Sequence, residues 1–214
     1  MPKAPATYSL ILPPSGGFRK LKSFQLAQLV YDITVRFVVR YIREDSRTRD
    51  QMEQAARSGA QNIAEGSMFS ATSKKIEMNL TNVARSSLTE LKLDYEDLLR
   101  QRNMALWADD DPRRTELVGR RFQTVDQVAH WIKEVYEREQ KGPCTPADRD
   151  RAWAELSANA AHVLTGVAIV LLNRQLNSQA KTFEQEGGFS ERLYRVRSEI
   201  RRNNIPPGTG QIPR

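Results

Sequence analysis

Apolar residues recur along this chain at three- and four-residue steps, and nowhere do they alternate in the flanked pattern of a hairpin. Leu26, Val30, Ile33 and Phe37 form one stripe, which predicts a first helix from about Ser23 to Arg43. Leu29, Tyr31, Val38 and Tyr41 widen that stripe beyond what a simple surface helix needs. Glu44 to Arg47 read as a polar connection. A second helix then starts near Thr48, keeps Met52, Ala56, Gly59 and Ile63 at heptad-like spacing, and is expected to end at Gly66 as a C′ glycine. After the loop SMFSATS, Ser73 caps a third helix from Lys74 to about Arg102. Its inner stripe reads Ile76, Leu80, Val83, Ser87, Leu91, Tyr95 and Leu98.

The pattern weakens after that. Asp109 to Pro112 make a loop, and 113–140 predict a less apolar helix with Leu117, Val128, Trp131, Ile132 and Val135. KGPCTP at 141–146 is a break. The most apolar helix follows, from Asp148 to about Gln185, and Gly187 and Gly188 end it. A basic helix at about 190–202 precedes the tail IPPGTGQIPR, and the proline- and glycine-rich residues 1–17 read as an extended or disordered arm. The fold class expected is all-α: an antiparallel four-helix bundle over 18–188, with 104–146 inserted before the last bundle helix and 189–214 as a basic suffix.

The run QAARSGAQNIAEG at 54–66 is unusual within this pattern. Ala55, Ala56, Ser58, Gly59, Ala60 and Ala64 are all small, so a neighbouring backbone can come close. A helix-interior glycine costs about 1 kcal/mol relative to alanine, so Gly59 implies a packing need. Asn62 and Glu65 suggest either a buried polar network that fixes helix register, the plainer reading, or a functional pair. The last helix is apolar nearly all round at 168–172, so its outer side needs a cover: either the 113–140 segment or a second protomer.

RSGAQNIAEG at Arg57 to Gly66, followed by SSLTEL at Ser86 to Leu91, carries a resemblance. The chain is similar to the bacterial four-helix-bundle family of proteins encoded in ribosomal RNA intervening sequences. That family includes the accessory variability determinant of diversity-generating retroelements. The similarity covers about 18–103, and 153–185 more weakly. EGGFSERLYRVRSEI at 186–200 and GGFRKLKSF at 16–24 resemble a longer branch with a C-terminal suffix. The resemblance implies a homo-oligomer, pentameric in the retroelement proteins, that binds nucleic acid and a reverse transcriptase through basic surfaces. It also makes Arg57, Ser58, Gly59, Asn62, Glu65 and Gly66 a helix-packing signature.

Charge supports part of that expectation. The chain carries a net charge of +7. Residues 18–49 hold eight Lys/Arg against three Asp/Glu and 189–214 hold six Arg against two Glu, while each segment between them is nearly neutral. The candidate nucleic-acid contacts are Arg19, Lys20, Lys22, Arg47, Arg49, Lys74, Lys75, Arg192, Arg195, Arg197, Arg201 and Arg202. If odd-numbered helices start at one end, Lys74 and Lys75 join Arg19 to Lys22 there. For any one of these residues, a solvated helix face is the plainer reading.

Chemistry is thin. His130 and His162 lack a Glu three residues before them, so no di-iron pair exists. Neither a zinc-ligand cluster, nor a phosphate loop, nor a nucleophile elbow is present. No enzyme activity, cofactor, metal or catalytic residue is expected, and His162 reads as a core or interface histidine. Cys144 cannot pair within the chain, which favours a reducing cytoplasm. No membrane span is expected, because the longest apolar run is short of about 20 residues.

Overall fold

The computed structural model describes residues 15–140 and 142–203. Most of the arm expected at 1–17, and all of the tail IPPGTGQIPR, lie outside them. The described residues are helical, without strands. A short 3₁₀ turn, Phe18–Lys20, precedes α1 (Lys22–Tyr41), α2 (Arg47–Phe69), α3 (Lys74–Gln101), α4 (Pro112–Arg120), α5 (Val125–Glu139), α6 (Pro146–Glu186) and α7 (Phe189–Asn203).

The packing is consistent with a bundle. α2 lies on α3, α3 on α6, α6 on α1 and α1 on α2, which closes a circuit around one core. Polar contacts across these seams give the register. The Ser23 hydroxyl donates to Gln175 Oε1 at 2.6 Å, so the start of α1 meets the late part of α6. Gln179 Nε2 donates to Glu77 Oε1 (3.1 Å) and Thr81 Oγ1 (3.2 Å), so the start of α3 meets the same part of α6. Ser58 and Ser87 hydroxyls meet at 3.2 Å midway along α2 and α3.

Met52, Ile63, Leu88, Leu91, Tyr95, Leu99 and Leu172 fill the centre. Two members of the expected α3 stripe, Ile76 and Val83, are instead exposed. Leu88, Leu99 and Ala84 take the interior, so the buried face is rotated relative to the sequence expectation. Tyr95 is fully buried, and its hydroxyl donates to Thr34 Oγ1 at 3.0 Å. Burial pushes its phenol well above the usual range.

The small residues of α2 answer to this packing. A Cβ built on Gly59 would lie 2.4 Å from Leu88 Cδ2 and 2.7 Å from Leu88 Cγ. Gly66 does not end the helix as expected. α2 runs on to Phe69, and Gly66 is buried where a Cβ would lie 3.1 Å from the Glu77 carbonyl oxygen and 3.3 Å from Leu80 Cβ. Its small size serves the approach of α3 rather than a left-handed cap. The expected Asn62–Glu65 network is absent. Asn62 Nδ2 donates within its own helix to Ser58 O (2.8 Å) and Ser58 Oγ (3.0 Å), while Glu65 is exposed.

The inserted segment is two helices where sequence periodicity predicts one. Arg121 adopts φ 50°, which breaks the run, and Thr124 with Gln127 forms a capping box that restarts it. Glu116 clasps the pair: it accepts from Trp131 Nε1 (2.9 Å), Arg120 (3.1 Å) and Arg138 (3.1 Å). Buried Asn159 ties the preceding strap to α6. Its Oδ1 accepts from Trp107 N and its Nδ2 donates to Ala105 O, both at 2.8 Å. Trp107 stands edge-on to Trp131, centroids 6.2 Å apart.

α4 and α5 lean on α6 and so cover much of its N-terminal half. Beyond Gly166 the cover is incomplete: Val167 and Leu171 are half-buried and Val170 is 47% exposed. An 18-residue window of the 146–202 helical stretch has mean hydropathy 1.5, and 61% of that window is buried.

Candidate nucleic-acid interface

The candidate basic residues fall into three groups, one at each end of the helical stack and one on α7. At one end, Gly16 N donates to Ser67 O at 3.1 Å, which fixes the chain entering α1 against the exit of α2. The turn from α2 into α3 lies beside it, and Gln175 and Gln179 bring α6 to the same level. Arg19, Lys20, Lys22, Lys74 and Lys75 therefore share that end. Arg47 and Arg49 lie at the other end, where Arg102 Nη2 donates to Tyr41 O at 2.9 Å.

Their availability differs. Lys20, Lys22 and Lys75 are exposed. Arg19 is exposed too, and its guanidinium sits 4.7 Å from the Phe18 ring centroid. Phe18 itself packs edge-on to Phe24, which stiffens the turn. Lys74 is not free: it pairs with Glu77 at 3.0 Å, both side chains being largely covered. At the far end Arg49 is half-buried and reaches Glu53 at 3.5 Å, whereas Arg47 is exposed.

α6 runs alongside the first group: Gln179 meets Glu77 and Thr81, so the last turns of α6, to Glu186, lie level with the start of α3. From Gln175 to Glu186 it rises about 16 Å at 1.5 Å per residue. Gly187, at φ 71°, then breaks it and starts α7. Arg195, Arg197, Arg201 and Arg202 are exposed on α7 and Arg192 is half-exposed. No residue of 189–202 is buried. Lys181, which sequence reading passed over, is exposed on late α6, ahead of the α7 arginines in the chain. Its signal was weak, because a single lysine in an apolar helix does not register as a charge cluster.

One groove is unsuited to an anion. Asp50, Glu90 and Asp94 outnumber Arg47 in the groove beside Ser58 and Ser87 between α2 and α3. Burial, then Glu90 and Asp97, raise the Asp94 carboxyl above its ordinary value. Phosphates would be repelled there.

One buried polar group has chemical potential. His162 is 3% exposed, and its Nε2 lies 2.8 Å from Glu96 Oε1, which also accepts from Lys92 Nζ at 2.9 Å. Burial holds the imidazole below its usual pKa, so it is neutral at pH 7. The Lys92 hydrogen bond, with help from His162, holds the Glu96 carboxyl low. His162 Nδ1 has no hydrogen-bond partner among the described residues. Among those residues no group of three or more His, Cys, Asp and Glu stands ready for a metal. No protein-family profile, curated protein or solved structure matches this chain.

Proposed function

We propose that this chain is a non-enzymatic, oligomeric nucleic-acid-binding accessory protein, RNA being the expected ligand. In this reading α1, α2, α3 and α6 form an antiparallel four-helix bundle, α4 and α5 are the insertion, and α7 is the basic suffix. The observation that carries it is the exposed cation group at the α1/α3-start end, with exposed Lys181 on late α6 at the same level and the exposed α7 arginines following in the chain. A backbone-tracking ligand would neutralise phosphates along that path without base-specific reading. The uncovered part of α6 around Val170 supports association with further copies of the chain. Resemblance to the retroelement accessory proteins extends the proposal to a pentamer acting beside a reverse transcriptase.

Binding should fall with salt. Neutralising about five phosphates gives a log–log slope of about −4. Anisotropy of a labelled single-stranded RNA across a salt series measures it. Lys20→Glu/Lys22→Glu/Lys75→Glu should weaken binding and flatten that slope, with thermal stability unchanged. Absence of binding at low salt would sink the proposal.

A second reading has its own support. Lys74 and Arg49 are engaged with carboxylates, and the apolar strip on α6 suits a protein surface. A structural or protein-interaction module would then retain its partner after nuclease treatment and at high salt.

A further inference from the structure

α7 has an apolar stripe with no extended packing against any other helix among the described residues. Phe189, Leu193, Val196 and Ile200 follow one another at steps of four, three and four. That is the a/d spacing of a coiled-coil seam. At 100° per residue the four residues fall within about 60° of arc. Ile200 is 40% exposed and the other three are half-exposed. A single 15-residue helix is marginal in water without a surface to cover such a stripe.

The charges beside the seam choose the occupant and its direction. Arg192 and Glu199 occupy the g positions, and Ser190 and Arg197 the e positions. In a parallel pair, g faces the e position five residues further on, so Arg192 would oppose the partner's Arg197. In an antiparallel pair g faces g, so Arg192 opposes the partner's Glu199, and by symmetry this occurs twice. The core layers then match large with small: Phe189 with the partner's Ile200, Leu193 with the partner's Val196. The sequence thus complements itself in one orientation and repels itself in the other.

We infer that α7 pairs with α7 of a second copy as an antiparallel two-helix coiled coil, Leu193 and Val196 at its centre and Arg192–Glu199 ion pairs at both ends. The contact is isologous and closes about a twofold axis. It therefore doubles whatever assembly the bundle makes: a monomeric bundle becomes a dimer, and a ring becomes a double ring joined at the ends from which α7 projects. Arg195, Arg201 and Arg202 lie on the side of α7 away from the seam; Arg195 donates to Glu186 O at 3.3 Å, and Arg201 and Arg202 stay open to an anionic ligand.

The test uses the full chain after nuclease treatment, with mass followed by sedimentation velocity at micromolar concentrations. Leu193→Asp/Val196→Asp should halve the mass, and circular dichroism should retain the α1–α6 signal because no residue of 189–202 is buried. Arg192→Glu or Glu199→Arg alone should weaken doubling about tenfold, since each creates like-charge contacts at both ends. Arg192→Glu/Glu199→Arg should restore it to within about twofold. An unchanged mass in the aspartate variant overturns the pairing, including the case in which only RNA or lipid binding is lost. Failure of the charge swap to rescue overturns the antiparallel orientation. The bundle's own association is read separately, as a mass above one chain that persists in the aspartate variant.

Discussion

Replacing Gly59 by alanine tests whether the small residues of α2 exist to admit α3. In an exposed helix interior, Gly→Ala stabilises by about 1 kcal/mol. At Gly59 the added methyl would lie 2.4 and 2.7 Å from two carbons of Leu88, a side chain with no exposed surface. Overpacking of this kind costs about 1–3 kcal/mol. The gain in helix propensity offsets part of that, so Gly59→Ala should destabilise by up to about 2 kcal/mol.

The companion variants make the reasoning strict. Leu88→Ala alone should cost about 2–5 kcal/mol through lost contacts and a cavity. In Gly59→Ala/Leu88→Ala the new methyl enters that cavity, so the double variant should be more stable than the sum of the singles by about 1–2 kcal/mol. Gly119→Ala in α4 is the control. No atom lies within 4 Å of its built Cβ, so it should stabilise by up to about 1 kcal/mol. Urea denaturation followed by circular dichroism gives all four values. A stabilised Gly59→Ala, or strict additivity in the double variant, would refute the close-approach account.

Other expectations are independent of that one. Burial keeps His162 below its ordinary pKa, so below about pH 6.5 the unfolded chain binds a proton that the folded chain does not. Stability should therefore fall as pH drops from 6.5 towards 5, before the separate loss from Glu96 as its carboxyl protonates at still lower pH. His162→Gln should remove the first component, and urea midpoints at several pH values would contradict the assignment if the slope persisted. Asn159→Ala leaves Trp107 N and Ala105 O without their side-chain partner. It should cost about 1–3 kcal/mol and raise hydrogen exchange across 104–111. Thr124→Ala removes the cap that restarts the insertion and should cost about 0.5–2 kcal/mol, with fraying of α5 visible in exchange and α1–α3 untouched.

The helical class and the main helices were legible from apolar spacing, because packing one stripe per helix imposes its period on the sequence. Met52, Ala56, Gly59 and Ile63 are all buried as that spacing requires. What periodicity could not fix was the exact rotation of each helix, which is why Ile76 and Val83 face outward while Leu88 and Leu99 fill the core. Gly66 reads as a stop in sequence, since a glycine after a helical run permits a left-handed cap. Only the neighbouring Glu77 carbonyl shows that its missing Cβ serves contact. The same holds for charge. Sequence located the two basic segments, but pairing of Lys74 with Glu77, and the openness of Lys75 beside it, depend on which side chains the fold brings within reach.

By itself the sequence determined helix number to within one break, a close approach of some neighbour to α2 and the confinement of positive charge to two segments. These follow from local spacing and composition. The tertiary structure decided that 113–140 is two helices clasped by Glu116, that Asn159 straps the insertion to α6, and that α7 has no extended packing against another helix among the described residues. Each of these depends on groups far apart in the chain meeting in space, and no local pattern encodes such a meeting.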